Sequence, residues 1–461
     1  MSNYVSYGLA RHLSQTAWPH PIAEYRRSTA LPRPASARQA EGVANASASR
    51  DTRRFMAMHV LHGSIGVTSM TTTVPHAKQS DREVWRVGVL FSRSGLMAVT
   101  ESEHFFGTAL AIEEINRAGG ILGREIEVIA YDPGSAPETY RKMADRLLTE
   151  DGASVIFGCS TSAERKAVLP AIERRNGLLW YPSLYEGFEY SPNVIYTGAC
   201  PNQNSFPLAE YIVRKYGPRV YLIGSDYIYP RESNRIMRDL VESYAGQVAG
   251  EQYVSMEAGD AELVRAIEAI RARSPDVVFS TIVGRTAQRF YRLYASRGFD
   301  PARLPIASLT MAEGELREIG PQYCAGHLTA ASYFGSIESE SSARFKAVFA
   351  KAYGLDRPVS MWSATAYAQV KLFARALTQA GSLDTQRLVD AAQGLSLDAP
   401  EGPIQIDADN NHVSLTPRIG RARADGAFDI VWEGKGPIRA DPYLSVSPIG
   451  GRWLTEEAAT A

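Results

Sequence analysis

Cysteine is scarce in this chain, three in 461 residues, and Cys159, Cys200 and Cys324 stand at unrelated spacings. An odd number with no repeating interval argues against a disulfide framework and for a reducing cytoplasm as the expected home. Long hydrophobic runs are absent as well. No stretch of 18 apolar residues occurs, so no membrane-spanning helix is expected. The beginning of the chain lacks a basic region followed by an apolar segment and a small-residue cleavage site, so no secretory signal is expected. Its Arg and Ser content resembles an organelle transit peptide, but Pro19, Pro21, Pro32 and Pro34 interrupt any amphipathic helix there. Net charge is nearly missing too, at −1, which gives no overall attraction to nucleic acid or membrane. The chain contains no G-x-S-x-G elbow, P-loop, G-x-G-x-x-G, H-E-x-x-H or C-x-x-C. No period of 20 to 50 residues repeats, which excludes a solenoid.

What is present is ordinary globular material, 45% hydrophobic and 21% charged. At roughly 100–200 residues per domain the length suggests two or three domains. Residues 1–82 differ from the rest: they carry ten Lys/Arg against four Asp/Glu and are rich in Ala, Ser, Thr, Arg and Pro, with no sustained apolar period. This composition predicts a disordered extension or an over-extended start, with Met56, Met58 and Met70 as alternative first residues. The His59/His62 pair lies in this segment, where no metal site is expected.

From Val84 the pattern changes. "VWRVGVLF" reads as a buried strand, "EHFFGTALAIEEINRAGG" as an amphipathic helix closed by glycines, and "REIEVIAYD" as a second strand. The alternation continues through "PETYRKMADRLLTED", "ASVIFG", "TSAERKAVLPAIERRN" and "GLLWYP". A second series begins after "PNQNSFPLAEYIVRKYG" with "RVYLIGS" and ends at "PIASL". Short apolar strands alternating with helices predict α/β lobes built on parallel sheets covered on both faces. Helical stretches follow near 340–352 and 360–395, and the alternating "GPIQIDADNNHVSLTPRIGRARADGAFDIVWEG" predicts antiparallel strands.

Ligands of open parallel sheets bind beyond the carboxyl ends of the strands, so residues at those ends are the candidates. "VIFGCSTSAERK" leaves its strand at Gly158 and presents Ser160, Thr161 and Ser162 where a helix begins. Hydroxyls and free N–H groups there suit a carbonyl or an anion, and helix capping is the plain alternative. "LLWYPSLYEGFEYSPN" offers Tyr181, Ser183, Tyr185 and Tyr190, and "GSDYIYPRESN" adds Tyr227 and Tyr229. Each tyrosine supplies a flat apolar wall and one hydroxyl, suited to a small neutral polar molecule, although an isolated tyrosine is more often an amphipathic core residue. Cys159 beside Glu164, Arg165 and Lys166 could be a nucleophile at a helix start, but with no histidine nearby in sequence a buried structural thiol is the better reading. Glu186 and Glu189 could form an acid/base pair, though solvation or loop hydrogen bonding explains them more simply.

"GCSTSAERKAVLP", "NGLLWYPSLYEG", "YTGACPNQN" and "GSDYIYPRESN" resemble the diagnostic segments of the urea and short-chain amide group of type I periplasmic-binding-protein folds. "YEGFEYSPN", "IGSDYIYPRESN", "DNNHVSLTPRI" and "PIRADPY" are most similar to the amide-sensing negative regulators of aliphatic amidase operons, the AmiC type. The likeness runs in order from about Trp85 to Tyr443. It implies an α/β fold of two lobes, each a parallel sheet flanked by helices, joined by a three-strand hinge with crossings near 200, 332 and 404. Residues 83–201 with 333–404 would form one lobe, 202–332 with 405–445 the other, and 446–461 a tail. By the resemblance the lobes close on a ligand in the cleft. Ser162 with its backbone N–H would bind the ligand carbonyl or amide, with Tyr181, Ser183, Ser160 and Thr161 on the same lobe and Tyr227, Tyr229, Val283 and Thr310 opposite. Two positions depart from the family: Ser160 stands where an aromatic is usual, and Leu184 where Pro or Gln is common.

The resemblance therefore implies a non-enzymatic cytoplasmic sensor of a small neutral amide such as acetamide, or of urea. It would hold a response-regulator-like antiterminator inactive until ligand binds, without itself touching RNA and without a cofactor or metal. A helical face near 340–395 would help assemble a homo-oligomer. The alternative is the solute-binding subunit of an ABC importer for urea or short amides, which requires export to the periplasm. An amide-hydrolysing enzyme is disfavoured, because the strand ends assemble no activated nucleophile.

Overall fold

The computed structural model describes residues 83–445. The calls on residues 1–82 and 446–461, including the His59/His62 pair, lie outside the described residues. In chain order the first lobe opens with β1 (Trp85–Leu90), α1 (Ala98–Arg117), β2 (Ile126–Tyr131), α2 (Pro137–Thr149), β3 (Val155–Gly158), α3 (Ser162–Arg174), β4 (Leu178–Tyr181) and β5 (Val194–Tyr196). The second contains α4 (Pro201–Lys215), β6 (Arg219–Ser225), α5 (Ile228–Ser243), β7 (Gln247–Val254), α6 (Asp260–Arg273), β8 (Val277–Thr281), α7 (Gly284–Ser296), β9 (Ile306–Ser308), α8 (Glu313–Ile319) and β10 (Leu328–Ala331). The chain then returns to the first lobe for α9 (Glu340–Tyr353), α10 (Met361–Ala380) and α11 (Thr385–Ala392). It ends with β11 (Ser396–Ala399), β12 (Gly402–Ile406), β13 (Val413–Ser414), β14 (Arg418–Ala422) and β15 (Phe428–Glu433).

The first sheet has the order β2-β1-β3-β4-β5, and all its pairs are parallel. The second has the order β15-β14-β10-β9-β8-β6-β7, parallel from β10 to β7, with β14 and β15 added antiparallel at one edge. Continuous apolar runs such as "VIFG", "LLWY" and "VVFST" are buried along their whole length, as strands covered by helices on both faces must be. Each lobe is thus a sheet between helix layers, and the whole is the two-domain α/β periplasmic-binding-protein fold.

Three differences from the sequence reading have local causes. The single helical stretch read at 360–395 is two helices, because Gly381 takes a left-handed conformation (φ 59°) at the end of α10 and Asp384 caps α11 by accepting from the Arg387 N–H at 3.0 Å. Strands β5 and β10 are missing from the reading: "LTAA" has little apolar character, and "VIY" sits between Pro192 and Gly198 in a stretch that reads as loop. The third passage between lobes falls between Ser414 and Arg418, after 404, because β12 and β13 pair with each other and with β11 in a small separate sheet.

Two helices of the first lobe touch almost backbone to backbone. A Cβ added to Gly107 in α1 would lie 2.1 Å from the carbonyl oxygen of Ser363 in α10, so only glycine permits this approach. The same face of α1 carries His104, which is fully buried, stacks on Phe91 at 5.3 Å and meets Trp362 edge-on at 5.3 Å. Neither ring nitrogen has a partner among the described residues. Burial lowers its pKa from 6.5 to about 3. The folded state therefore binds fewer protons than the unfolded one below pH 6.5, and stability present above that pH is lost as pH falls toward the folded value. A His104→Leu variant is expected to gain on the wild type by about 1.4 kcal/mol per pH unit below about pH 6. Urea melts between pH 7.5 and 4 read this difference, and parallel curves would show that His104 is not buried neutral.

Candidate functional site

The site is assembled at the end of β3. Gly158 closes the strand and Cys159 takes a left-handed conformation (φ 67°), costly for a residue with a side chain, which turns the chain sharply into α3. Thr161 is the N-cap. Its side chain accepts from the Glu164 N–H at 3.2 Å, and the Glu164 carboxylate returns to accept the N–H groups of Ser160 at 2.9 Å and Thr161 at 2.8 Å. The plain reading of this segment, capping, is thus correct for Thr161. It leaves the Ser160, Thr161 and Ser162 side chains facing the cleft, and among the described residues the N–H groups of Ser162 and Ala163 have no protein acceptor.

Supporting residues fix this ledge from behind. The Tyr181 hydroxyl donates to the Ser160 carbonyl at 2.7 Å, and Ser183 Oγ lies 3.5 Å from Ser160 Oγ. Ser162 Oγ donates to Glu186, so toward a ligand this hydroxyl is an acceptor. Arg165 is fully buried, 3.6 Å from Glu186 and 2.6 Å from Glu189. Its guanidinium lies over the rings of Tyr181 and Tyr185, at 4.8 and 4.6 Å. Burial would raise the Glu189 pKa, but Arg165 and Lys166 override it and hold the group down at about 2. The acid/base reading of Glu186 and Glu189 is therefore corrected: both carboxylates are tied into ion pairs behind the site. Tyr185 belongs to that support as well, bonded to His412 Nε2 at 2.6 Å, whereas Tyr190 is exposed. The Cys159 thiol is buried and pushed well up by burial and by the Glu164 and Glu101 carboxyls, the opposite of what a nucleophile needs.

The second lobe faces this ledge with the starts of α5 and α7 and the loop after β9. Tyr227 is the N-cap of α5, and its ring lies 6.2 Å from that of Tyr229. Burial, with the phenol of Tyr229 and the carboxyls of Glu164 and Glu186 nearby, keeps the Tyr227 phenol neutral. The Val283 N–H donates to Ser225 Oγ at 3.3 Å and the Thr310 N–H to Ser308 Oγ at 3.1 Å. Between the lobes lies a narrow cleft whose empty space, open solvent included, is about 470 Å³. Ser160, Thr161, Ser162, Ser183, Tyr227, Tyr229, Val283 and Thr310 line it, and Tyr181 stands behind the ledge without lining it.

Sequence reasoning missed several of the lining residues, among them Met97 and Thr100 of the first lobe, Met311 and Glu315 of the second, and Trp362 of α10. Glu315 is the only lining residue that carries an acidic carboxyl, and none of the lining residues is Lys, Arg or His. Its carboxylate accepts from Thr100 Oγ1 at 2.6 Å and Trp362 Nε1 at 3.2 Å, so it bonds the second lobe to the first. Burial raises its pKa to about 7 against these hydrogen bonds. Other bonds cross the cleft beside it, from the Arg285 N–H to the Leu96 carbonyl at 3.3 Å and from Arg317 to the Asp356 carbonyl at 2.7 Å. An acid three residues after the N-cap Ala312 was the one signal that could have located Glu315.

Comparison with known proteins agrees with this architecture. Residues 85–448 match the family model described as "Periplasmic binding protein domain". A Leu/Ile/Val-binding protein homolog 6 of Brucella melitensis is 23% identical over 359 residues, 76% of this chain and 90% of that protein. A limonene hydroxylase of Geobacillus stearothermophilus is 33% identical over 127 residues, but the match spans only 28% of this chain and 23% of that protein. Among solved structures, a solute-binding protein of an ABC transporter from Rhodopseudomonas palustris HaA2, in complex with p-hydroxybenzoic acid, superposes with a TM-score of 0.71 at 20% identity. That alignment covers 79% of this chain and 100% of the other. With most of its described length matched by the family model and its two sheets arranged as above, the chain belongs to the periplasmic binding protein domain family.

Proposed function

We propose that this chain is a solute-binding protein of the ABC-importer type whose ligand is a small neutral polar molecule, a short-chain amide or urea. The observation that carries the ligand class is the charge around the cavity. No Lys, Arg or His lines it, and the Glu164 carboxyl already occupies the N–H groups of Ser160 and Thr161 at the start of α3. A helix start normally attracts anions; here a carboxyl within the protein has taken that role, and Glu315, the acid that lines the cavity, is engaged by Thr100 and Trp362. What remains are neutral groups: the Ser162 oxygen as acceptor, the Ser162 and Ala163 N–H groups as donors, and the hydroxyls of Tyr227, Tyr229 and Thr310. An amide or urea presents both a carbonyl and N–H donors and matches such a set.

The AmiC-type sensor is the second reading. It is favoured by the convergence of two of the resembling segments on one cluster, where His412 of "DNNHVSLTPRI" stacks on Tyr196 at 4.2 Å and bonds Tyr185 of "YEGFEYSPN". In that reading the protein is cytoplasmic and its partner is an antiterminator instead of a permease.

Calorimetric titration with acetamide, propionamide, butyramide, urea, leucine and 4-hydroxybenzoate tests the ligand class. Binding of an amide or urea, with the other two silent, is expected. Tight binding of leucine or 4-hydroxybenzoate would overturn it. Ser162→Ala is expected to weaken the amide by about 1–3 kcal/mol, because it removes an acceptor from a buried ligand donor. Unchanged affinity would take Ser162 out of the site.

A further inference from the structure

The ladder between β10 and β14 ends at the pair Ala331 and Arg418, so the carbonyls of Ser332 and Thr416 lie just beyond it, where the second and third passages leave the second lobe. Buried carbonyls need donors, and one side chain supplies them. Arg418 Nη1 donates to the Ser332 carbonyl, to the Glu401 carbonyl at 3.0 Å and to the Thr416 carbonyl at 3.5 Å. Its Nε and Nη2 hold Glu433 of β15 at 2.8 and 2.7 Å. The Arg418 side chain is 7% exposed. Glu401 lies in the turn between β11 and β12, and β11 is fastened to α10 of the first lobe, where Arg375 donates to the Ser396 carbonyl. A guanidinium rooted in the second lobe thus grips two passages and a turn held by the first lobe. Gln203 ties the remaining passage in the same way: its Oε1 accepts from the Cys200 N–H at 3.1 Å, and its Nε2 donates to the carbonyls of Val413 at 2.9 Å and Ile438 at 3.1 Å.

We propose that Arg418 is a positioning residue of the binding site: by fixing the second and third passages to each other and to the first lobe's small sheet, it sets the angle at which Tyr227 and Tyr229 meet the Ser160–Ser162 ledge. This inference rests on the cleft being the ligand site. Arg418 does not itself line the cavity, so it acts through the orientation of the lobes. A joint between lobes absorbs motion in the dihedral angles of a few connecting residues, and Ser332 and Thr416 are such residues. With both carbonyls held by one guanidinium, neither peptide can turn without losing a buried hydrogen bond. Only arginine can do this here, because its planar fork serves carbonyls with one nitrogen and a carboxylate with the other two, whereas lysine offers a single nitrogen. With Gln203 binding the first passage to the third, the three connections turn as one unit and the lobes keep a narrow range of angles.

The test reads the distance between lobes directly. Cys159, Cys200 and Cys324 are buried, so spin labels can be placed selectively through Lys142→Cys on the first lobe and Ala272→Cys on the second, both exposed positions. Double electron–electron resonance without added solute is expected to give a broader or shifted distance distribution in Arg418→Met than in the labelled parent. Arg418→Lys, which keeps the charge and loses the fork, is expected to lie between the two, and it is the variant to read if Arg418→Met fails to fold. A distribution equal to the parent's in the folded variants would overturn the proposal and leave Arg418 as packing alone. With acetamide as the probe, Arg418→Met should bind about 3- to 10-fold more weakly, because a smaller fraction of molecules holds the competent angle. Broadened distances with unchanged acetamide affinity would overturn the link to the site. Failure of acetamide to bind the parent would count against the proposed ligand class, and the distance measurement would then decide this inference by itself.

Discussion

Arg165→Met is expected to destabilise the protein by about 3–5 kcal/mol, the cost of leaving buried carboxylates without their counter-ion. Arg165 is fully buried, and its two carboxylate partners, Glu186 and Glu189, are 3% and 10% exposed. Methionine retains much of the apolar contact with the Tyr181 and Tyr185 rings, so the loss isolates the charge. Lys166 lies 2.8 Å from Glu189 and 4.0 Å from Glu186 but is half in solvent, so it compensates mainly the Glu189 side. The structure therefore makes Glu186 the group left exposed to repulsion, and Glu186 holds the Ser162 hydroxyl. Denaturant melts of Arg165→Met, Glu186→Gln and the double variant form the test. The double variant should recover at least half of the loss, and strict additivity would show that the pair is not coupled.

Trp362→Ala is expected to cost about 3–5 kcal/mol, the range for deleting a large buried aromatic. The indole is 3% exposed, meets His104 edge-on and donates to Glu315. It also lines the ligand cavity, so the void it leaves is continuous with the site and the pocket enlarges. Trp362→Phe separates the two contributions: it keeps most of the apolar burial and loses the hydrogen bond, for about 1–2 kcal/mol. Thermal melts of both variants give the stability terms. An amide titration should show Trp362→Ala shifting preference toward longer chains, and an unchanged order of ligands would place the indole outside the ligand's reach.

The parts of this molecule that could be read from the sequence are those where one strong local signal governs. Apolar runs such as "VIFG" alternating with amphipathic helices specify buried parallel strands whatever surrounds them, and hydroxyls or tyrosines at strand ends lie where an α/β sheet places its ligands. Glu315 and Trp362 follow no such rule. Each sits within a helix of a different lobe, and they meet across the cleft only because the chain crosses between lobes. Tyr181 illustrates the reverse case: it is at a strand end, yet its hydroxyl turns inward to the Ser160 carbonyl and holds the ledge in place of lining it.

The hydrogen bonds that join the lobes directly, Thr100 and Trp362 to Glu315, Arg285 to Leu96 and Arg317 to Asp356, contain no ligand atom. On the proposed function, with lobes that open and shut around a solute, they would stabilise the shut arrangement over the open one whatever lies in the cavity, and that equilibrium would have a constant set by the protein alone. A solute need supply only the remaining differential affinity, and its apparent dissociation constant is the intrinsic one divided by the fraction already shut. Affinity would therefore depend on bonds away from the cavity, such as Arg285 to Leu96 and Arg317 to Asp356, as well as on the lining residues, and changes at those outer bonds could tune how strongly a solute is held without altering which solute is recognised.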